Sequence, residues 1–224
     1  MGLYTDGHEE YYNSKGIEVP SVTTILKLLN KPAIPRWANS LGFKHLSYDK
    51  TLEESAHYGT NVHNALDAYF KNVKYIPELK YSDEELKIRT SLYHFFSWKN
   101  EHNLNTILNE KKLIGEEYGG TLDWYGEIDG KLTILDFKTS KDFNASMFLQ
   151  LSAYTHLIEE YSRYKVEQVA ILILNYKNPK FKFKILSKEE IEPYFGVFND
   201  LQKLFGKVYS LDKINKEKKI NTIL

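Results

Sequence analysis

An α/β fold with an N-terminal hairpin and helical additions is the architecture this sequence predicts. Three observations point to it. Between residues 106 and 138 the helical spacing of apolar residues gives way to short runs rich in β-branched and aromatic residues. Further on, Val169, Ala170, Ile171, Leu172, Ile173 and Leu174 form a continuous apolar run, as a strand buried on both faces would. Ser or Thr followed three residues later by Glu recurs ahead of the periodic segments, the spacing of a helix capping box.

The elements follow in order. Residues 11–19 hold Asn13-Ser14-Lys15-Gly16, a turn between two strand-like pieces, and Ser21 then caps a helix over 22–29. Pro32 and Pro35 break that helix. Thr51 with Glu54, and Ser82 with Glu85, start helices near 53–71 and 83–102. Strands over 106–114, 120–125 and 131–138 make a meander, with Asp129-Gly130 turning between the last two. A helix over about 146–161 leads to the apolar strand at 169–174. Phe181, Phe183 and Ile185 then alternate with lysines, as on an edge strand. Ser187 and Glu190 cap a last helix, along which Ile191, Phe195, Phe198, Leu201 and Phe205 recur on one face. With no repeat or long linker, the chain reads as one domain over 1–224: hairpin and helix in 1–50, the core in 51–186, and a closing helix and tail in 187–224.

At 224 residues, 42% hydrophobic and 27% charged, the chain can bury one sizeable core. It has no cysteine, which excludes disulfides, thiolate zinc sites, iron-sulfur clusters and cysteine nucleophiles. Any metal must be held by oxygen or imidazole. Residues 1–14 are polar and tyrosine-rich, with neither a signal-peptide pattern nor a membrane span, so a cytoplasmic setting is expected. Net charge is zero, yet unevenly spread. From Glu110 to Asp136 seven acids face three lysines, whereas from Lys203 to Lys219 six lysines face two acids. An acidic centre flanked by basic stretches suits a cation site that approaches phosphates; a solvated lysine-rich tail explains the second stretch equally well.

The chemistry concentrates in the meander. If Asp129-Gly130 is a two-residue turn, Asp123 faces Asp136 across the hairpin, with Cβ atoms roughly 4.5–5.5 Å apart. Two carboxylates so placed repel unless a cation lies between them. Lys138, two residues beyond Asp136, falls on the same face, and Phe137 points to the other. A bulge would shift this register by one. Two carboxylates, a lysine and a hard cation make a hydrolytic site, because the metal polarises a phosphoryl oxygen and acidifies water. A surface ion cluster beside a hairpin is the competing explanation.

Three more places hold candidates. His63, with Leu66 and Phe70, lies on the apolar face of its helix and could equally be a core histidine. Gln150 and Tyr154 share a helix face, as ordinary polar helix residues also do. Glu110 is an acid in a strand, a position that usually faces solvent.

Taken together, Gly59-Thr60-Asn61-Val62-His63, Gly120-Thr121-Leu122-Asp123, Asp136-Phe137-Lys138-Thr139-Ser140 and Gln150-Leu151-Ser152-Ala153-Tyr154 form an ordered pattern. In it the chain resembles the RecB-like branch of the PD-(D/E)XK nucleases, which includes the RecB and AddB nuclease domains, Cas4-like proteins, phage exonucleases and the mitochondrial genome maintenance exonuclease. The resemblance spans roughly residues 50–175, and more loosely 20–26. It implies a restriction-endonuclease-like core, a central mixed β-sheet flanked by helices. It also implies that His63, Asp123, Asp136 and the Phe137 carbonyl hold Mg2+ or Mn2+, that Lys138 assists catalysis, that Gln150 and Tyr154 position Lys138 and the DNA, and that Glu110 is the acid often found before the G-x-x-D motif. The missing cysteines depart from the Cas4-like and AddB-like relatives and favour the small exonucleases, without an iron-sulfur cluster. The expected activity is a bacterial or phage-encoded DNA exonuclease acting on ends or single strands in recombination, repair or replication, with proteins of those processes as partners. A structure- or site-specific endonuclease and a non-catalytic DNA-binding module are the alternatives.

Overall fold

The computed structural model describes residues 9–29 and 33–223, with only the backbone of residue 33 and of 211–223. Residues 1–8, Pro32 and the lysine side chains beyond Ser210 in the C-terminal basic stretch lie outside that description.

Strands β1 (Tyr11–Tyr12) and β2 (Glu18–Val19) form the expected hairpin. Its turn is held by Asn13, whose Oδ1 accepts from the N–H groups of Lys15 and Ile17 at 3.0 Å, while Gly16 takes the left-handed φ of 72°. Ser21 caps α1 (Val22–Leu26), accepting from Thr24 N–H at 3.0 Å. That helix is shorter than the 22–29 expected, because its end tightens: Lys27, Leu28 and Leu29 donate three residues back instead of four.

Three boundaries depart from the sequence reading. Pro35 does not break a helix; it sits in the first turn of α2 (Ala33–Phe43), where its missing N–H has no partner to lose. Ser47, not Thr51, caps α3 (Tyr48–Phe70), and Thr51 inside the helix donates back to the Ser47 carbonyl at 2.7 Å. At α4 (Glu84–Lys99) the cap position is Asp83, without a side-chain cap bond, and Ser82 forms no capping box.

The meander is β3 (Leu104–Ile114), β4 (Gly119–Ile128) and β5 (Lys131–Lys138). After α5 (Ala145–Tyr161) come β6 (Gln168–Ile173), parallel to β5, and the edge strand β7 (Lys182–Ser187), antiparallel to β6. The long helix α6 (Lys188–Ile223) starts at the expected box: Ser187 N–H donates to Glu190 Oε2 at 2.7 Å, and Glu190 N–H to Ser187 Oγ at 3.3 Å. The result is one mixed five-stranded sheet, ordered β3-β4-β5-β6-β7, flanked by helices.

Successive strand residues feed two separate cores. Ile134 and Ile171 pack with Ile25, Leu151, Ile158 and Phe198 under α1, α5 and α6. Leu135 and Leu172 pack with Val62, Leu66, Phe95 and Trp98 under α3 and α4. Burial at about 1.5–3 kcal/mol per large apolar side chain holds these layers. Every residue of β6 is buried, which explains its unbroken apolar sequence.

Candidate active site

The Asp129-Gly130 turn has both residues at positive φ, 52° and 81°, and sets the pairs Ile128↔Lys131 through Trp124↔Leu135. The ladder ends there; Asp123 and Asp136 are the next positions in that register, just beyond its last pair. Phe137 N–H donates at 2.8 Å to Asp123 Oδ2, so a carboxylate takes the place of a main-chain acceptor. Beyond this point β5 continues only with β6, where Asp136 lies beside Ile171 and Lys138 beside Ile173. The site therefore opens where β4 and β5 part.

Asp136 is 2% exposed, and its carboxylate is served by Lys138, whose Nζ donates to Oδ1 at 2.8 Å. Oδ2 lies 2.7 Å from the same nitrogen but makes no hydrogen bond. Burial raises the Asp136 carboxyl above the ordinary range, with the Lys138 ammonium opposing it and the Asp123 carboxylate adding to it. The Lys138 ammonium is itself held protonated, Asp136 and Asp123 together outweighing its desolvation. From Lys138 the chain of contacts continues: Nζ donates to Gln150 Oε1 at 3.1 Å, and Gln150 Nε2 donates to the Tyr154 hydroxyl at 3.1 Å. Burial raises the Tyr154 phenol, which stays protonated.

A second group lies beside this one. Donor atoms of His63, Glu110 and Asp123 all fall within 4.8 Å of one another, with His63 Nδ1 3.6 Å from Asp123 Oδ1. Asp136 is not in that trio, because it is turned onto Lys138. Glu110 arrives through the irregularity that the β4–β5 register escaped. A bulge between Thr106 and Leu108 moves β3 by one residue, from the pairing Thr106↔Gly126 to Leu108↔Tyr125. Glu110 then stands opposite Asp123 instead of Leu122, with φ at 45°, a strained value for a residue bearing Cβ. Burial first, then the carboxylates of Asp123 and Asp67, push its carboxyl up to about 7.

Crowded carboxylates, an imidazole and a buried carboxylate oxygen without a hydrogen bond are what a hard divalent cation relieves, so these residues fit Mg2+ or Mn2+.

The motif glycines have visible causes. A Cβ on Gly120 would come 2.5 Å from Tyr154 Cε1, and one on Gly59 3.2 Å from Thr139 Oγ1. The first lets β4 approach the Tyr154 ring; the second lets the helix of His63 approach the end of β5. Several contributors were not anticipated. Asp67, four residues after His63 on α3, bonds Lys71 at 2.8 Å and also receives the Asn109 amide; the His63-x-x-x-Asp67 spacing was the available signal. Glu9 ties the N-terminal hairpin to the site strands through Lys112 at 2.7 Å and Thr121 at 2.8 Å. Asn175 Nδ2 donates to the Thr139 carbonyl at 2.5 Å, fixing the chain just past Lys138. Trp124 and Tyr125, beside Asp123 on β4, are fully buried core residues.

No protein-family profile matches this chain, and no curated protein matches it by sequence. Among solved structures it is similar to the alkaline exonuclease LHK-Exo from Laribacter hongkongensis, at 6% identity, and to LHK-Exo in complex with dAMP, at 7%. Each match has a TM-score of 0.43 and covers 74% of this chain and 86% of that one. A structure of SSO0001 is similar over 66% of this chain and 75% of that one, with 15% identity and a TM-score of 0.28. The overlap in space is partial.

Proposed function

We propose that this protein is a Mg2+- or Mn2+-dependent deoxyribonuclease, an exonuclease acting on DNA ends or single strands in recombination, repair or replication, with residues 51–186 as its catalytic core. A cytoplasmic, bacterial or phage setting and partners from those processes belong to the same proposal; among the described residues no helix is long and apolar enough to cross a membrane. The observation that carries the reading is the meeting of two groups at one strand opening: the His63, Glu110 and Asp123 trio and the buried Asp136–Lys138–Gln150–Tyr154 chain.

His63, Glu110 and Asp123 are the residues that would hold the cation, with Asp136 and the Phe137 carbonyl as further donors. When bound, a divalent cation neutralises phosphoryl oxygens and lowers the pKa of water. Lys138 keeps its proton and offers it in hydrogen bonds to a phosphoryl oxygen or to the attacking water. Asp136 and Gln150 fix the direction of that ammonium, and Tyr154 fixes Gln150. Such positioning matters because displacements near 1 Å can cost about a hundredfold in rate.

The test compares end-labelled linear DNA with closed circular DNA, with Mg2+ or Mn2+. Loss of label from linear DNA alone supports an exonuclease, and nicking of circles would make it an endonuclease. No metal-dependent cleavage by wild type, or undiminished cleavage by Asp136→Ala and Lys138→Ala, would sink the nuclease reading.

A further inference from the structure

The lysines of the edge strand stand in register with the catalytic row. Across the sheet Lys138 pairs with Ile173 and Ile173 with Lys182; one row back, Asp136 pairs with Ile171 and Ile171 with Lys184. Pairing partners share a face, so Lys182 and Lys184 project on the same side as Lys138 and Asp136. Two strand spacings separate the rows' ends, roughly 9–10 Å. The contacts agree with this placement: Lys182 Nζ lies 3.1 Å from Asp142, just past Lys138 in the chain, and Lys184 Nζ lies 5.0 Å from the Phe148 ring of α5.

The same edge is basic throughout. Residues 168–188 contain five lysines and no acid, in a chain whose net charge is zero. Of the five, Lys188 is taken by Glu159 at 2.6 Å. Lys177, Lys180 and Lys184 are exposed, and Lys141 is brought to the same edge by Asn178, whose Nδ2 donates to the Lys141 carbonyl at 3.1 Å. Lys182 is paired with Asp142, 68% exposed, and an ion pair so open to water is worth little and exchanges readily for a phosphate.

We infer that this row is a track for a nucleic-acid strand: the polyanionic backbone runs from the phosphate at Lys138 over the β6–β7 edge, past Lys182, Lys184, Lys180 and Lys141. The inference rests on the nuclease reading for the identity of the polyanion. Phosphate contacts of this kind position a strand without reading its sequence.

The test is the salt dependence of binding to a fluorescent single-stranded oligonucleotide, measured by anisotropy in EDTA so that nothing is cut. Lys182→Gln/Lys184→Gln is compared with Lys203→Gln/Lys207→Gln, a charge-matched pair of exposed lysines on α6. The log–log salt slope of the first variant is expected to be smaller than wild type by about 1.4, near 0.7 for each lost phosphate contact. The α6 variant is expected to keep the wild-type slope. Unfolding midpoints on the same samples establish that both fold, and single Lys184→Gln, with a slope smaller by about 0.7, serves if the double variant does not. Equal slopes for the two double variants overturn the track. Because binding is read without metal, a wild type that binds with a normal slope but cleaves nothing removes the nuclease reading instead.

Discussion

Gly120 and the Tyr154 ring are in contact so close that no other residue fits between them: a Cβ at position 120 would meet Cε1 at 2.5 Å. Gly120→Ala is therefore expected to push Tyr154 off Gln150 and to cost about 1–3 kcal/mol, the usual range for overpacking. Urea unfolding measures it. Gly196→Ala, at an α6 position where nothing lies within 4 Å, is expected to stabilise instead, by up to about 1 kcal/mol.

Removing one member of the Asp136–Lys138 pair strands the other. With Asp136→Ala the half-buried ammonium loses its partner, and a loss of roughly 3–5 kcal/mol is expected, toward the lower end because Lys138 keeps 23% of its side-chain surface in water. With Lys138→Met the buried carboxyl stands alone and its pKa rises further. A carboxyl whose folded pKa exceeds its unfolded one binds more protons when folded, so its contribution falls as pH rises between the two values. Lys138→Met is accordingly expected to lose more stability, relative to wild type, at pH 8 than at pH 5.

On the proposed reading, Glu110 is expected to give metal binding a pH dependence. Burial, Asp123 and Asp67 hold its carboxyl up to about 7, so below that pH a proton competes with the cation. Calorimetric titration with Mn2+ is expected to show affinity falling as pH drops below about 7, up to about tenfold per unit for one proton displaced. In Glu110→Gln the affinity is lower and this dependence weaker. A wild-type affinity that does not change from pH 6 to pH 8 would remove Glu110 from the ligand set.

Asn175 acts on the site through the Thr139 carbonyl. It is 8% exposed and also accepts from Lys177 N–H at 2.9 Å, so Asn175→Ala leaves main-chain groups short of partners, at a cost of about 1–3 kcal/mol. Its signature is a lower kcat with little change in KM, and Asn175→Asp, which keeps the acceptor, is expected to retain the Lys177 bond. Equal kcat in wild type and Asn175→Ala would limit Asn175 to folding.

Much of this was legible in the sequence because local rules and global fold agree there. The two-residue turn at Asp129-Gly130 determined a register that the β4–β5 pairing obeys, and Ser187 with Glu190 marked the start of α6. What escaped depended on tertiary context. Ser47 outcompeted Thr51 for the start of α3, and α2 formed through Pro35. The bulge at residues 106–108 carries no turn residue to announce it, yet it alone brings Glu110 opposite Asp123. Asn175 follows a strand in an unremarkable segment, and only the parallel pairing of β5 with β6 brings it to Thr139.

The bond from Phe137 N–H to Asp123 Oδ2 makes one amide proton a witness to the whole site. Main-chain amides in a sheet normally report only on their neighbouring strand. This one is shared with a carboxylate beside His63 and Glu110, so its resonance follows whatever charge enters there. A single cross-peak in a nitrogen-correlated spectrum is thus expected to move if a divalent cation binds at the proposed site, with no DNA in the tube and no turnover to count.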